Sequence, residues 1–175
     1  MRMPRIIAFT GAGISAESNI PTFQEIPGIR DKLTRRYATD EPAGFAAVIA
    51  EMKEAIAQAE PNEAHLSLAK HQIPIITMNI DGLHQKAGSQ EVIAVHGDID
   101  NIVLYGDLAP KYAEAVELVY GLQKNDILLV IGASLATSFA YDLRMVAKLQ
   151  GATVVEIQER AATLVPEFLK KYYEN

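Results

Sequence analysis

Residues 5–16 read RIIAFTGAGISA, and the fold follows from this stretch. Its first half, Arg5–Thr10, is a β-branched and aromatic run typical of a buried strand. Residues 11–16 then fit the pattern G-x-G-x-x-[GA], directly after a strand and at the start of a helix. In such a loop the first glycine permits a tight turn, and the second lets a pyrophosphate approach the backbone. We therefore expect a nucleotide site here, the alternative being a glycine turn that binds nothing.

Strands and helices alternate along the rest of the chain. This alternation predicts an α/β fold, a Rossmann-like parallel sheet with helices on both faces. Further strands are expected at residues 74–78, 91–95, 101–105, 126–131 and 152–157. Helices are expected at residues 45–60, 61–70, 110–122, 139–149 and 161–173. Residues 19–40, with two prolines, read as one long loop, and residues 1–175 as a single domain.

Composition excludes several classes of function. The chain has no cysteine, which rules out disulfides, cysteine catalysis and cysteine-ligated zinc. Its four histidines lack metal-type spacing, so we expect no metal site. The net charge of −6 gives no support for binding nucleic acid or an anionic membrane. The first apolar run is too short for a signal peptide and no stretch approaches ~18 apolar residues, so we expect a soluble, cytoplasmic protein.

The nucleotide site differs from that of ordinary dehydrogenases. Those enzymes hold the ribose with an acidic residue at the end of the second strand, ~20 residues after the glycines. Asp31 has this spacing, but it lies in the proline-containing loop and no strand precedes it. The sequence therefore predicts a nucleotide site without the architecture for hydride transfer.

The glycine loop belongs to the first of six motifs that follow one another along the chain. They are GAGISAESNIPTF (residues 11–23), PNEAH (61–65), TMNIDGLH (77–84), HG (96–97), IVLYGD (102–107) and IGASL (131–135). Together they resemble the sirtuin (Sir2) family. The resemblance implies a sirtuin-like large domain, NAD as cosubstrate and an acylated lysine of a protein or peptide as substrate. It implies lysine deacylation that releases nicotinamide and O-acyl-ADP-ribose.

The family normally carries a small Cys₄ zinc module after the His-Gly pair. Only three residues, Asp98–Asp100, separate Gly97 from Asn101 here. We therefore expect a short form in which the zinc module is absent, with no metal. A homo-oligomer is compatible with the sequence.

The resemblance implies three catalytic residues. Cleavage of the nicotinamide–ribose bond builds positive charge at the anomeric carbon, and a base must then activate a ribose hydroxyl. His96 is implied as that base, a task that suits an imidazole near neutral pH. Asn79 is implied to position ribose and water, and Asp81 to accept hydrogen bonds from the nicotinamide carboxamide. The alternative for His96 is a histidine at the end of a strand whose hydrogen bonds are made with the backbone. The alternative for Asn79 and Asp81 is an Asx turn in the segment Asn-Ile-Asp-Gly. His84 is expected to be structural.

The resemblance implies cofactor contacts at a larger set of positions. These positions follow strands or lie in the loop after residue 18. The set is Gly11, Ala12, Gly13, Ser15, Phe23, Gln24, Asn79, Asp81, Gly132, Ala133, Ser134 and Gln158. Ser134 has an equally good reading as the N-cap of the next helix. Gln158 stands near the family's asparagine for the adenine ribose. The segment Val103, Leu104, Tyr105 and Gly106 is implied to bind the substrate peptide by β-augmentation. The alternative is that this segment is an ordinary buried strand.

Two departures from the family motifs keep other functions open. Gln24 replaces an arginine, and Met78 replaces a glutamine that bonds the ribose. Arg30, Arg35, Arg36 and Tyr37 form either a solvated basic loop or a site for an acidic acyl group. The alternatives to deacylation are NAD glycohydrolysis or ADP-ribosyl transfer, and a non-catalytic module that binds NAD or ADP-ribose.

Overall fold

The computed structural model describes residues 2–22 and 25–174. It contains a sheet of five strands and a separate two-stranded hairpin. The strands are β1 (Ile6–Thr10), β2 (Ile75–Thr77), β3 (Val92–Ala94), β4 (Gly97–Asp98), β5 (Asn101–Ile102), β6 (Ile127–Ile131) and β7 (Thr153–Ile157). The helices are a 3₁₀ helix (Ala12–Ser18), α1 (Ile29–Lys32), α2 (Arg35–Asp40), α3 (Pro42–Gln58), α4 (Glu63–Lys70), α5 (Leu83–Lys86), α6 (Lys111–Tyr120), α7 (Ser138–Leu149) and α8 (Ala161–Glu174). Among these described residues, no helix combines the length and the apolar character needed to cross a membrane.

The sheet is parallel throughout, with strand order β3-β2-β1-β6-β7. The chain builds outward from β1 to β3 and then returns to the other side of β1 for β6 and β7. Where the strand order reverses, between β1 and β6, the loops after the two strands leave in opposite directions and open a crevice. All parallel strands end at the same edge, so the loops after them share that crevice.

Both faces of the sheet are covered, which explains why its central strands are apolar without alternation. Ile7 and Phe9 of β1 point into a cluster built with α6 and α7. Ile6 and Ala8 point into a second cluster built with α4 and α8. All five residues of β1 are buried. The predicted α/β class is confirmed.

The loop predicted for residues 19–40 is wrong in part, because it contains α1 and α2. Ile29 and Leu33 are buried against Val48 of α3 and Leu104, in a third cluster apart from the sheet. The apolar residues are too few and too close to proline and glycine to give a readable helical period. We call α1–α3 the helical wall.

The strand predicted at residues 101–105 is also wrong. Asn101–Ile102 pair antiparallel with Gly97–Asp98, and Tyr105 forms an isolated parallel bridge with Thr34, so no strand of residues 101–105 joins the main sheet. Gly97 adopts a φ of +76°, which turns the chain back directly after β3. The Asp98 carboxylate then accepts hydrogen bonds from the N–H groups of Asp100 and Asn101, both at 2.9 Å. A short Asx turn therefore converts an expected sheet strand into a hairpin.

The ends of β1 and β6 interlock through two glycines. A Cβ on Gly13 would lie 2.5 Å from the Cα of Gly132, closer than real Cβ contacts. Gly132 has a φ of +57°, and its carbonyl accepts the N–H of Gly13 at 2.9 Å. The second glycine of the motif is thus required by the β6 loop, a reason that the sequence pattern alone did not give.

We expect Gly13→Ala to lower the free energy of unfolding by about 2 kcal/mol or more, because the methyl group meets backbone that cannot rotate away. Denaturant unfolding measures this. Gly121→Ala is the matched control, since Gly121 has a φ of −74° and the nearest atom to its Cβ is 3.3 Å away. Equal stability of the two variants would contradict the interlock.

Candidate active site

One cavity of about 940 Å³ follows the carboxyl edge of the sheet. Its floor is formed by the loops that leave the strands, and its opposite side by the helical wall. From the wall, α3 contributes Val48, Met52 and Ile56, and α1 contributes Ile29 and Arg30. The cavity is therefore polar along the sheet and largely apolar along the wall.

The predicted site residues enter the cavity in the order of the strands. His96 follows β3, Asn79 and Asp81 follow β2, and Ser15 follows β1. Beyond the crevice come Gly132, Ala133 and Ser134 after β6, and then Gln158 after β7; Ala12 and Gly13 line the centre. The arrangement forms a row of polar groups suited to an extended ligand.

Four predicted positions, Gly11, Val103, Leu104 and Gly106, do not line this cavity. Gly11 instead supports the floor, because its carbonyl accepts a hydrogen bond from Asn79 Nδ2 at 2.9 Å. Leu104 is buried in the third cluster, and Val103 donates its N–H to the His96 carbonyl at 2.8 Å. Of residues 103–106, Tyr105 alone is among the lining residues. Phe23 and Gln24 lie outside the described residues.

Asp81 is held from two sides by a directed chain of hydrogen bonds. The N–H of Asn62 donates to His65 Nδ1 at 3.1 Å, so the ring proton lies on Nε2, which is 3.4 Å from Ser15 Oγ. The Ser15 hydroxyl donates to Asp81 Oδ2 at 2.6 Å, and the N–H of Leu83 donates to Oδ1 at 2.9 Å. Each carboxylate oxygen keeps a further lone pair for a ligand.

His96 lies half-buried between two tyrosines. Its ring centroid is 6.5 Å from that of Tyr105 and 5.9 Å from that of Tyr112. Burial lowers the pKa of His96 below its usual value. The imidazole is therefore neutral near pH 7 and able to accept a proton, as a general base must be.

The N-cap reading of Ser134 is wrong. Thr137 caps α7, and its hydroxyl accepts the N–H of Ala140 at 3.2 Å. Ser134 is exposed at the cavity, where its hydroxyl accepts the N–H of Ala136 at 3.3 Å. The hydroxyl hydrogen of Ser134 is thus left to a partner in the cavity.

The basic residues of the 19–40 segment are mostly engaged elsewhere. Arg35 forms a two-pronged ion pair with Asp107, at 2.7 and 2.8 Å, and Arg36 pairs with Asp40 at 3.4 Å. Of the four residues considered for an acidic acyl group, Arg30 lines the cavity.

Comparisons with known proteins agree with this geometry. The Sir2 family model matches residues 11–102. An NAD-dependent protein deacylase of Aquifex aeolicus is 32% identical over 198 residues, covering 87% of this chain and 82% of the relative. The chain belongs to the Sir2 family. Another NAD-dependent protein deacylase, of Escherichia coli strain K12, is 32% identical and covers 99% of this chain and 78% of its own length.

Solved Sir2 structures share the fold. A Sir2 homologue in complex with NAD has a TM-score of 0.88 at 23% identity, covering 97% of this chain and 90% of the other. A Sir2 complex with a p53 peptide and NAD⁺ has a TM-score of 0.81 at 26% identity, covering 97% and 92%. The predicted sirtuin-like architecture is therefore confirmed.

Sequence reasoning on this Sir2-family chain missed the ion pair that Arg144 and Glu156 form at the cavity. Arg144 on α7 is 6% exposed and donates to the Ala133 carbonyl at 2.6 Å and to Glu156 at 2.8 Å. The one available signal was Glu156 itself, a charged residue in the otherwise apolar run TVVEI. Nothing in a helical period marks Arg144 as buried.

The predicted structural role of His84 fits its surroundings. The Thr10 hydroxyl donates to Thr77 Oγ1 at 2.8 Å, so His84 Nε2, also 2.8 Å away, must donate to Thr10. Burial, with a smaller contribution from His65, whose ring centroid is 5.0 Å away, lowers the pKa of His84 to about 3. Burial likewise lowers the pKa of His65 to about 4.

These two histidines predict loss of stability in acid. The unfolded chain binds protons at both near pH 6.5, whereas the folded chain does so only near pH 4 or below. Stability is therefore fully present above about pH 6.5 and falls as the pH falls, by up to about 1.4 kcal/mol per pH unit for each histidine. Urea unfolding at several pH values measures the slope. His84→Gln, which keeps a donor near Thr10, should flatten it; an unchanged slope would argue against a buried neutral His84.

Proposed function

We propose that this protein is an NAD-dependent protein-lysine deacylase that releases nicotinamide and O-acyl-ADP-ribose. The observation that carries the proposal is that His96, Asn79 and Asp81 meet in one cavity with the loops after β1 and β6. The curated relatives described above are named NAD-dependent protein deacylases. One solved structure at 26% identity holds a p53 peptide together with NAD⁺.

The cavity fits NAD in two respects. The interlocked glycines leave backbone, rather than side chains, at the centre of the crevice, where a pyrophosphate needs a close approach. The polar groups on both sides suit two nucleosides joined by that pyrophosphate. NAD would supply a glycosidic bond whose cleavage leaves ADP-ribose to receive the acyl group.

The chain's own residues have distinct tasks at the reacting end. Asp81, fixed by Ser15 and Leu83, would accept hydrogen bonds from the nicotinamide carboxamide. Asn79, tied to Gly11, would position the ribose and a water molecule. His96 would accept a proton from a ribose hydroxyl on the imidazole nitrogen that faces the cavity. We propose Phe23 and Gln24 as further cofactor contacts on the motif resemblance alone.

The substrate peptide is proposed to lie along Val103–Gly106, with Tyr105 beside the reacting atoms. The N–H groups of Val103, Leu104 and Tyr105 all donate within the chain, to His96, Asp107 and Leu33. Recognition along this segment would therefore use side chains and the second lone pairs of its carbonyl oxygens, not a full β-ladder. The acyl group would extend toward the apolar helical wall.

One assay distinguishes the three functions considered. The protein is incubated with NAD, with and without acyl-lysine peptides, and nicotinamide and O-acyl-ADP-ribose are quantified by mass spectrometry. Nicotinamide release that requires the acyl peptide supports deacylation. Release without peptide indicates NAD glycohydrolysis instead, and thermal stabilisation by NAD with no release indicates a binding module.

His96→Ala should reduce peptide-dependent turnover about 100-fold or more, because the ribose hydroxyl loses its general base. Stabilisation by ADP-ribose, measured by thermal unfolding, should stay unchanged. His71→Ala is the matched control, since His71 stacks on Tyr173 at 4.5 Å, on the α4–α8 side of the protein. Turnover of the His96 variant at the control's rate would refute the base.

We further propose that the chain acts as a single domain and without zinc. Its alignment with the E. coli relative extends over 222 positions against 175 residues here, so that relative contains insertions that this chain lacks. Within residues 2–22 and 25–174, no three His, Asp or Glu side chains are grouped to hold a metal ion. A cytoplasmic location and a homo-oligomer stay predictions.

A chelator should therefore change neither the unfolding temperature nor peptide-dependent turnover, because no bound metal supports the fold. Thermal unfolding and the mass-spectrometric assay, each with and without EDTA, check this. Addition of Zn²⁺ to a chelated sample is the control. Activity that is lost with EDTA and restored by Zn²⁺ would contradict a zinc-free enzyme.

A further inference from the structure

The end of the cavity over β6 and β7 carries an ion pair, Arg144 with Glu156, that the sequence analysis did not assign. This inference rests on the proposed function, in which the reacting ribose lies near β2 and β3. Because the glycine loops after β1 and β6 take the pyrophosphate, the second nucleoside of an extended dinucleotide must lie toward β7. The residues lining that end include Arg144, Glu156 and Gln158.

Glu156 has one carboxylate oxygen that is fixed and one that is not. Its Oε1 accepts hydrogen bonds from Arg144 at 2.8 and 3.3 Å and from Gln158 Nε2 at 2.8 Å. Its Oε2 has no hydrogen-bond donor among the described residues. The side chain is 43% exposed and lines the cavity. The carboxylate is therefore oriented by the protein while keeping an acceptor for a ligand.

Arg144 is what orients it. The guanidinium is almost fully buried and also donates to the carbonyls of Ala133 at 2.6 Å and Ala140 at 2.9 Å. These bonds tie Glu156 to the loop after β6 and to α7, so its carboxylate has little freedom to turn away. The Arg144 hydrogen bond also lowers the pKa of Glu156, which keeps the carboxylate ionised at neutral pH.

An oriented carboxylate distinguishes two kinds of ribose. A free 2′-hydroxyl donates a hydrogen bond to it, whereas a 2′-phosphate has no hydrogen there and adds negative charge. Glu17 and Glu159 line the same end of the cavity and add to the repulsion of a 2′-phosphate. Among the described residues that line this end, the cations are Arg160 and the paired Arg144. Dehydrogenases place such an acid after the second strand, whereas the acid after β2 here is Asp81, which is proposed to bind the nicotinamide end.

We propose that Glu156, held by Arg144, accepts a hydrogen bond from the 2′-hydroxyl of the adenine-linked ribose and so makes the protein select NAD over NADP. The acid that contacts the adenine-linked ribose is thus supplied by β7. Glu156 is a specificity-determining residue in this reading, and Arg144 is its positioning residue.

The test is a binding measurement that needs no turnover. Isothermal titration compares ADP-ribose with 2′-phospho-ADP-ribose on the wild-type protein and on Glu156→Gln. The wild type should bind ADP-ribose at least about 10-fold more tightly than its 2′-phosphate, since a hydrogen bond to a charged acceptor is replaced by repulsion. Glu156→Gln keeps an oxygen for Arg144 but loses the charge, so the preference should fall about 10-fold.

Glu167→Gln is the matched control, because it removes the same charge from an exposed position of α8 that does not line the cavity, and it should leave the preference unchanged. The ratio of the two affinities is taken within each variant, so a partial loss of folded protein does not change it. If Glu156→Gln fails to fold, Glu156→Asp is used instead. Its shorter side chain holds the carboxylate farther from the ribose, so the preference should also fall. An equal affinity of the wild type for both nucleotides overturns the proposal, as does a preference that survives both changes at Glu156 or falls equally in the control.

The outcomes separate this inference from the function on which it rests. A wild type that prefers ADP-ribose but releases no nicotinamide with acyl peptides refutes deacylation and leaves Glu156 as the selective residue. Peptide-dependent turnover with an unchanged nucleotide preference in Glu156→Gln refutes the inference alone.

Discussion

The structure depends on the close contact between the loops after β1 and β6. Gly13 and Gly132 touch backbone to backbone, and neither position has room for a side chain. This contact fixes the path of the two loops where the strand order reverses, and so the shape of the crevice floor. Every other group of the site is placed relative to it, because the strands on either side are in register with β1 and β6.

The order of the strands places the site residues in a row along the carboxyl edge of the sheet. Residues that are far apart in the chain, from Ser15 to Gln158, become a row because each follows a strand of one parallel sheet. The two ends of the row differ in chemistry. A half-buried imidazole and an anchored carboxylate stand at one end, and an arginine-held carboxylate stands at the other. A dinucleotide in this row has one preferred direction.

The sequence predicted what depends on local pattern. Buried strands such as Ile127–Ile131, the PNEAH helix start and the order of the site motifs were all readable, because apolar runs, caps and glycines act over a few residues. Of the helical wall, α3 was predicted, but α1, α2 and the hairpin after His96 were not readable. They depend on contacts between distant segments, such as the pairing of Thr34 with Tyr105. Arg144 was missed for the same reason, since its partners are Ala133 and Glu156, from two other elements.

The helical wall has its own hydrophobic cluster, separate from the two that cover the sheet. A substitution at Met52, which packs against this cluster and lines the cavity, therefore alters the side of the cavity that we propose faces the acyl group, without disturbing the packing beneath the nucleotide loops. Packing defects in separate clusters are close to additive. Substitutions in the wall can thus change the acyl groups that the protein accepts while the packing of the nucleotide-binding loops stays the same.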